Sequence, residues 1–159
     1  MAKFYRRKFS KAPRDKYSVE QTSMNINITA SQQVAVPVVA ASNTQGMRKV
    51  KHLTISVSNI APGVDINSTA YWALVYVPQG LNPNPLSVGT QTAPASLYEP
   101  NQFVLACGVF DLSAGPTRVS SPVSRNLNSG DTIYLIMANV SSTDNLALAA
   151  VVRYAVTLQ

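Results

Sequence analysis

The chain has 159 residues, a one-domain length, with 46% apolar and only 13% charged residues, against a usual charged share of about 25%. No apolar run approaches the ~18 residues that suggest a membrane-spanning helix, and no apolar stretch follows the basic residues 1–8. Neither a membrane partner nor a secretory leader is therefore expected. One cysteine, Cys107, and one histidine, His52, exclude a disulfide framework and every cysteine-based zinc pattern, and leave too few parts for most enzyme chemistry.

The net charge is +6, and residues 1–16 carry all of it: Lys3, Arg6, Arg7, Lys8, Lys11, Arg14 and Lys16 face one acid, Asp15. In residues 17–159 the cations Arg48, Lys49, Lys51, Arg118, Arg125 and Arg153 balance the acids Glu20, Asp65, Glu99, Asp111, Asp131 and Asp144. The chain thus divides into a basic arm, 1–16, and a neutral body, 17–159. A basic arm on a neutral body is an electrostatic footprint for a polyanion; a solubilising tail or a nuclear import signal is the blander reading. The seven arm cations would neutralise phosphates without reading bases, with a steep salt dependence. Tyr5 and Phe9, four residues apart, would share one stripe of a short helix that Pro13 ends. They would either stack on unpaired bases or pack arm to arm. Disorder until binding fits the same composition.

After Tyr17 the pattern has period two. Met24, Ile26 and Ile28 share one face, and Ser23, Asn25 and Asn27 the other, as in a half-buried strand. Further β-rich runs follow at 33–41, 48–58, 70–77, 102–110, 117–124, 131–140 and 146–158, separated by turn chemistry such as Asn128-Ser129-Gly130-Asp131. Eight strands without helical periodicity predict an all-β antiparallel sandwich or barrel. Pro37 and Pro122 cannot donate to a ladder, so their runs belong on sheet edges or at bulges. Lettered B to I in chain order, the strands of an eight-stranded jelly roll pair as B-I-D-G and C-H-E-F, which puts the proline-bearing runs C and G on edges. Tyr71-Trp72-Ala73-Leu74-Val75-Tyr76-Val77 and Ile133-Tyr134-Leu135-Ile136-Met137 are apolar at both parities and need cover on both faces. The connection 78–101 is long and proline-rich, a functional or interface element, with room for one helical turn at 93–99.

A second basic cluster, Arg48, Lys49 and Lys51 with His52, opens the run 48–58. It serves either a polyanion or as gatekeeper charge on an exposed strand end. Cys107 lies in an apolar run and is expected to be a buried small hydrophobe. His52 has no acid or nucleophile close in sequence to complete a triad. The aspartates sit at turns and in loops, where capping is their ordinary role. No catalytic residue, cofactor, metal or small-molecule substrate is expected. The scarcity of charge in the body points to an outside buried against other subunits; the alternative is a monomer coated with Ser, Thr and Asn.

Three stretches carry a resemblance: Tyr71-Trp72-Ala73-Leu74-Val75-Tyr76-Val77-Pro78, Ser96-Leu97-Tyr98-Glu99-Pro100-Asn101-Gln102, and Gly115-Pro116-Thr117-Arg118-Val119-Ser120-Ser121-Pro122-Val123-Ser124-Arg125-Asn126-Leu127-Asn128-Ser129-Gly130-Asp131. They resemble capsid proteins of small circular Rep-encoding single-stranded DNA viruses, in particular the short type similar to plant satellite-virus coats. The resemblance implies a jelly roll, a small icosahedral shell of most simply 60 copies (T=1), and a basic arm packaging single-stranded DNA. It also implies a place in the virion, with a host nucleus as the assembly site. Arg48, Lys49 and Lys51 would then line the inner surface near the arm's exit. Two other readings share the residues. One is the coat protein of a small satellite RNA virus. The other is a jelly-roll binding module, lectin-like or a cytokine-like trimer, in which the arm would be idle.

Overall fold

The computed structural model describes residues 17–60, 69–85, 102–112, 115–122, 124–140 and 143–158. The arm and the helical turn considered at 93–99 lie outside the described residues. Nine strands follow in chain order: β1 (Ser18–Ile28), β2 (Gln33–Val39), β3 (Arg48–Asn59), β4 (Thr69–Val77), β5 (Phe103–Asp111), β6 (Thr117–Ser121), β7 (Arg125–Leu127), β8 (Thr132–Asn139) and β9 (Leu146–Leu158). They make two antiparallel sheets, β1-β9-β3-β6 with β7 also on β3, and β2-β8-β4-β5. With strand G divided into β6 and β7, this is the B-I-D-G and C-H-E-F order of a jelly roll.

The alternation of β9 sets the inner face of the first sheet. Leu146, Leu148, Ala150, Val152 and Tyr154 are buried, beside Ile26 and Ile28 of β1 and Leu53, Ile55 and Val57 of β3. Trp72, Leu74, Phe110, Leu135 and Met137 of the second sheet close against them in one core. Trp72 stacks on Phe110 with ring centroids 5.4 Å apart. Its indole also covers Gly108, where an added Cβ would lie 3.0 Å from the ring, so the pair works because β5 carries no side chain there. The double parity of β4 and β8 has its expected consequence. Ala73, Val75, Val77, Ile136 and Ala138 form a second buried cluster on the opposite side of their sheet.

Both prolines interrupt ladders. The β2–β8 register shifts between Pro37 and Val39, on an edge strand, so Val38 and Val39 are both buried. Pro122 lies where β6 gives way to β7. The central strand β3 is irregular at the same level. Lys51 pairs with Ala155 but Thr54 with Arg153, which leaves one extra residue on β3. His52 takes up the excess at φ 55°, the left-handed region in which His is enriched among non-glycine residues. On either side of this bulge the inward positions are Val50 and Leu53. Across it, Leu53 pairs with Ser121 and Val50 with Arg125, so the Pro122 break and the bulge face each other.

One end of the sandwich is tied by Asp131, 3% exposed. Its carboxylate accepts the Tyr76 hydroxyl at 2.7 Å, the Asn128 N–H at 2.8 Å and the Gln79 N–H at 3.1 Å. The neighbouring Gly130 N–H and Ser129 hydroxyl both donate to the Ser42 carbonyl, at 3.0 and 3.1 Å. Burial, then the bond to Asp131 and its negative charge, raise the Tyr76 phenol above its ordinary pKa. The Arg125 guanidinium lies 4.3 Å from the centroid of the Tyr76 ring and 5.5 Å from that of Phe103, bridging the two sheets. Asp131→Ala strands one buried and two part-buried donors and is expected to cost about 2 kcal/mol. The lowered denaturant midpoint in equilibrium unfolding of the isolated subunit checks this.

Candidate nucleic-acid interface

Each sheet has an outward face, and the two differ in kind. On β1-β9-β3-β6 the outward positions are those out of phase with the buried ones. They include Gln21, Ser23 and Asn25 of β1, Val151 and Arg153 of β9, Lys49, Lys51, Thr54 and Ser56 of β3, and Arg118 and Ser120 of β6. Four of these are cations. No Asp or Glu holds an outward position on these strands among the described residues. The one acid of the sheet, Glu20, has the inward parity and accepts the Tyr154 hydroxyl.

The expected cluster at the start of β3 is divided by strand alternation. Lys49 and Lys51 share the outward face, opposite Thr157 and Ala155. Arg48 has the other parity. Its Nη2 donates to the Ala40 carbonyl at 2.9 Å, and its charge acts on the buried Tyr154. That phenol is raised well above its ordinary pKa by burial first, then by the bond to and charge of Glu20, and Arg48 opposes the rise. Arg48 thus joins an inner grouping with Glu20 and Tyr154 that the charge pattern did not reveal. His52, at the bulge, is exposed.

The Lys51 ammonium lies 4.7 Å from the centroid of the Tyr17 ring, a cation–π contact. Tyr17 is the first described residue, so the chain enters β1 beside the outward lysines. The expected phosphate ligands Lys3, Arg6, Arg7, Lys8, Lys11, Arg14 and Lys16, and the aromatic residues Tyr5 and Phe9, lie outside the described residues.

Two cations that sequence reasoning left unassigned belong to the same face. Arg118 pairs with Ser56 across β6–β3, and Arg153 with Thr54 across β9–β3. With Val151 these four line a depression of about 280 Å³. The Arg153 Nε donates to Gln21 Oε1 at 2.6 Å. The usable signal was parity within each run, since Arg153 stands out of phase with the apolar stripe of β9. The antiparallel register that unites Arg118 with Arg153 is not local.

The outward face of β2-β8-β4-β5 carries one charged residue on its strands among the described residues, Asp111, which pairs with Thr69 at the end of β5. Ala73, Val75, Val77, Ile136 and Ala138 form its buried middle, with Tyr71 and Tyr134 packed beside them. Pro83, Asn84 and Pro85 line a shallow cleft with Gln33, Val34, Ala35 and Ile136, and the Asn84 N–H donates to Gln102 Oε1 at 3.0 Å. The edge strand β5 shows Val104, Cys107 and Val109 to the outside, Val109 at 52% exposure. The expectation of a buried Cys107 is therefore corrected. An apolar run on an edge strand has one face turned from the core, and Cys107 stands on it. Among the described residues no group of three or more His, Cys, Asp or Glu could hold a metal ion.

No protein-family model matches the chain, and no curated protein matches it. Solved structures similar to it include two of infectious bursal disease virus. The Gt strain structure has a TM-score of 0.49 and 11% identity over 99% of this chain and 36% of that one. The Gx strain structure has a TM-score of 0.44 and 10% identity over 91% of this chain and 32% of that one. The chain thus spans about a third of the length of each. A third, from Desmodium yellow mottle tymovirus, has a TM-score of 0.40 and 16% identity over 97% of this chain and 96% of that one.

The outward placement of Cys107 has a direct chemical readout. A disulfide reagent such as Ellman's is expected to titrate one thiol in the folded, dissociated subunit, at a rate within a few-fold of that in denaturant. Reaction only after unfolding would contradict the placement.

Proposed function

We propose that this chain is a viral capsid subunit. It self-assembles into a small closed shell, in the simplest case of 60 copies, and packages single-stranded DNA through its basic arm, residues 1–16. The observation that carries the reading is the partition of charge between the two outward faces. One presents Lys49, Lys51, Arg118 and Arg153 with no acid on its strands among the described residues. The other has an apolar middle that the chain itself covers, exposes Val104 and Val109 on β5, and carries the single charge Asp111 at that strand's end. A shell subunit needs both kinds of surface. It must meet a polyanion inside and must bury charge-poor surface against its neighbours.

The arm fits the same orientation. Tyr17 sits against Lys51, so an arm continuing from it starts at the cationic face. Sixteen extended residues reach about 50 Å, far enough to enter a lumen. Its seven cations would exchange condensed counterions for phosphates without sequence preference, as suits a coat that must cover every stretch of its genome. Phosphate contacts treat DNA and RNA alike, so the choice of DNA rests on the resemblance described above. The role needs no catalysis, and its place is the virion, assembled in the host nucleus.

Purified full-length protein is expected to form closed particles by electron microscopy that hold nuclease-protected nucleic acid, lost to DNase and kept under RNase once the particles are opened. Replacing the seven arm cations by Gln is expected to leave the fold intact and to empty the particles. A chain that stays monomeric at high concentration, with and without DNA, overturns the capsid reading. Unchanged cargo in the arm variant overturns the role of the arm.

A further inference from the structure

We infer that Arg118 and Arg153, with Thr54 and Ser56 between them, form a phosphodiester-binding subsite on the outward face of β1-β9-β3-β6, fixing the packaged strand at one place on every subunit. The inference rests on the packaging reading above and deepens it. The arm supplies diffuse neutralisation, whereas the sheet supplies a built position.

The register makes the site. β6 and β9 flank β3, and adjacent strands lie about 4.8 Å apart, so the two arginine-bearing strands are separated by roughly 10 Å. Arg118 stands opposite Ser56 and Arg153 opposite Thr54, which offsets the guanidinium groups diagonally across two hydroxyl side chains. All four residues, with Val151, line the one depression of about 280 Å³.

The donors match the ligand. Each guanidinium offers five N–H groups in a planar fork suited to phosphate oxygens. Arg153 spends its Nε on Gln21, at 2.6 Å. That bond holds the plane while the terminal nitrogens keep four N–H donors, and because Gln21 is neutral the positive charge is not cancelled. Thr54 Oγ1 donates to the His52 carbonyl across a long 3.4 Å, a bond readily exchanged for one to a phosphate oxygen. No Asp or Glu stands at an outward position on the strands of this sheet among the described residues.

A strand, and not a free anion, is the ligand that the wider face fits. The cationic positions continue along β3 through Lys51 to Lys49, a track of roughly 20 Å, and end beside Tyr17 where the arm begins. An isolated phosphate would use only the depression.

The test is the salt dependence with which a labelled single-stranded oligonucleotide binds the full-length, dissociated chain. Arg118→Gln with Arg153→Gln is expected to reduce the slope of log K against log salt by about 1.4, at ~0.7 for each single-strand phosphate contact. Ser56→Glu, which sets an anion between the guanidinium groups while keeping both, is expected to weaken binding to a similar degree. The arm variant carrying seven Gln residues is expected to retain weak, salt-dependent binding that vanishes when the two arginine substitutions are added. If the sheet variants bind like the parent chain while the arm variant loses all binding, the subsite is refuted and the packaging reading stands. If neither set changes binding, both fall. If Arg118→Lys with Arg153→Lys matches the parent in affinity and slope, the face acts by diffuse charge and the built subsite is refuted.

Discussion

A β-strand shows its side chains alternately to two sides, and a two-sheet sandwich can bury only one side of each. Every residue in these strands is committed by parity to the shared interior or to one of two outsides. In this chain the two outsides have opposite chemistry. Among the described residues one is polar, cationic and without outward acids, and the other is largely apolar, with Asp111 at the end of β5 as its one charge. Spacing keeps the cationic face tolerable. Arg118 stands opposite Ser56, Arg153 opposite Thr54, Lys51 opposite Ala155 and Lys49 opposite Thr157, so no two of these cations meet directly across a ladder, where like charges are most destabilising. Their residual repulsion is an electrostatic load that a polyanion bound as proposed would relieve, so that ligand and fold would stabilise each other through linkage.

Parity also divides the cations of the body by task. Arg48 and Arg125 have the inward orientation and serve the sandwich, one bonding the Ala40 carbonyl beside the Glu20–Tyr154 pair, the other lying over Tyr76 and Phe103. The remaining four point out. A count of charges gives the body a net of zero and hides this arrangement. The acids balance the cations in number but not in position, since Asp131 is consumed at the end of the sandwich and Glu20 on the inner side of β1. Neutral composition thus coexists with a strongly biased face.

The topology was legible because two residues that cannot donate to a ladder, Pro37 and Pro122, mark edges, and because the double-parity runs of β4 and β8 demand central places. Other features were less accessible. Residues 18–22 of β1 carry no apolar alternation, yet they pair with β9, with side-chain bonds from Tyr154 to Glu20 and from Arg153 to Gln21. Polar pairing of this kind leaves no hydrophobic period to read. Cys107 was misplaced because an apolar run does not say which of its faces the fold covers. The joining of Arg118 with Arg153 depends on which strands flank β3, information that exists only once the chain is paired.

The extra residue at His52 gives the number of residues in β3 a meaning apart from their identity. Lys49, Lys51, Leu53, Ile55 and Val57 are all odd-numbered, and in an uninterrupted strand all five would project to the same side. Only the added residue throws the lysines out of phase with the hydrophobic set. Almost any side chain that tolerates a left-handed backbone can stand at that position, but its loss would swing two ammonium groups toward the interior or three aliphatic side chains toward water. For β3, arithmetic constrains sequence drift more tightly than chemistry does: exchange at 52 is cheap, and a single-codon deletion is ruinous.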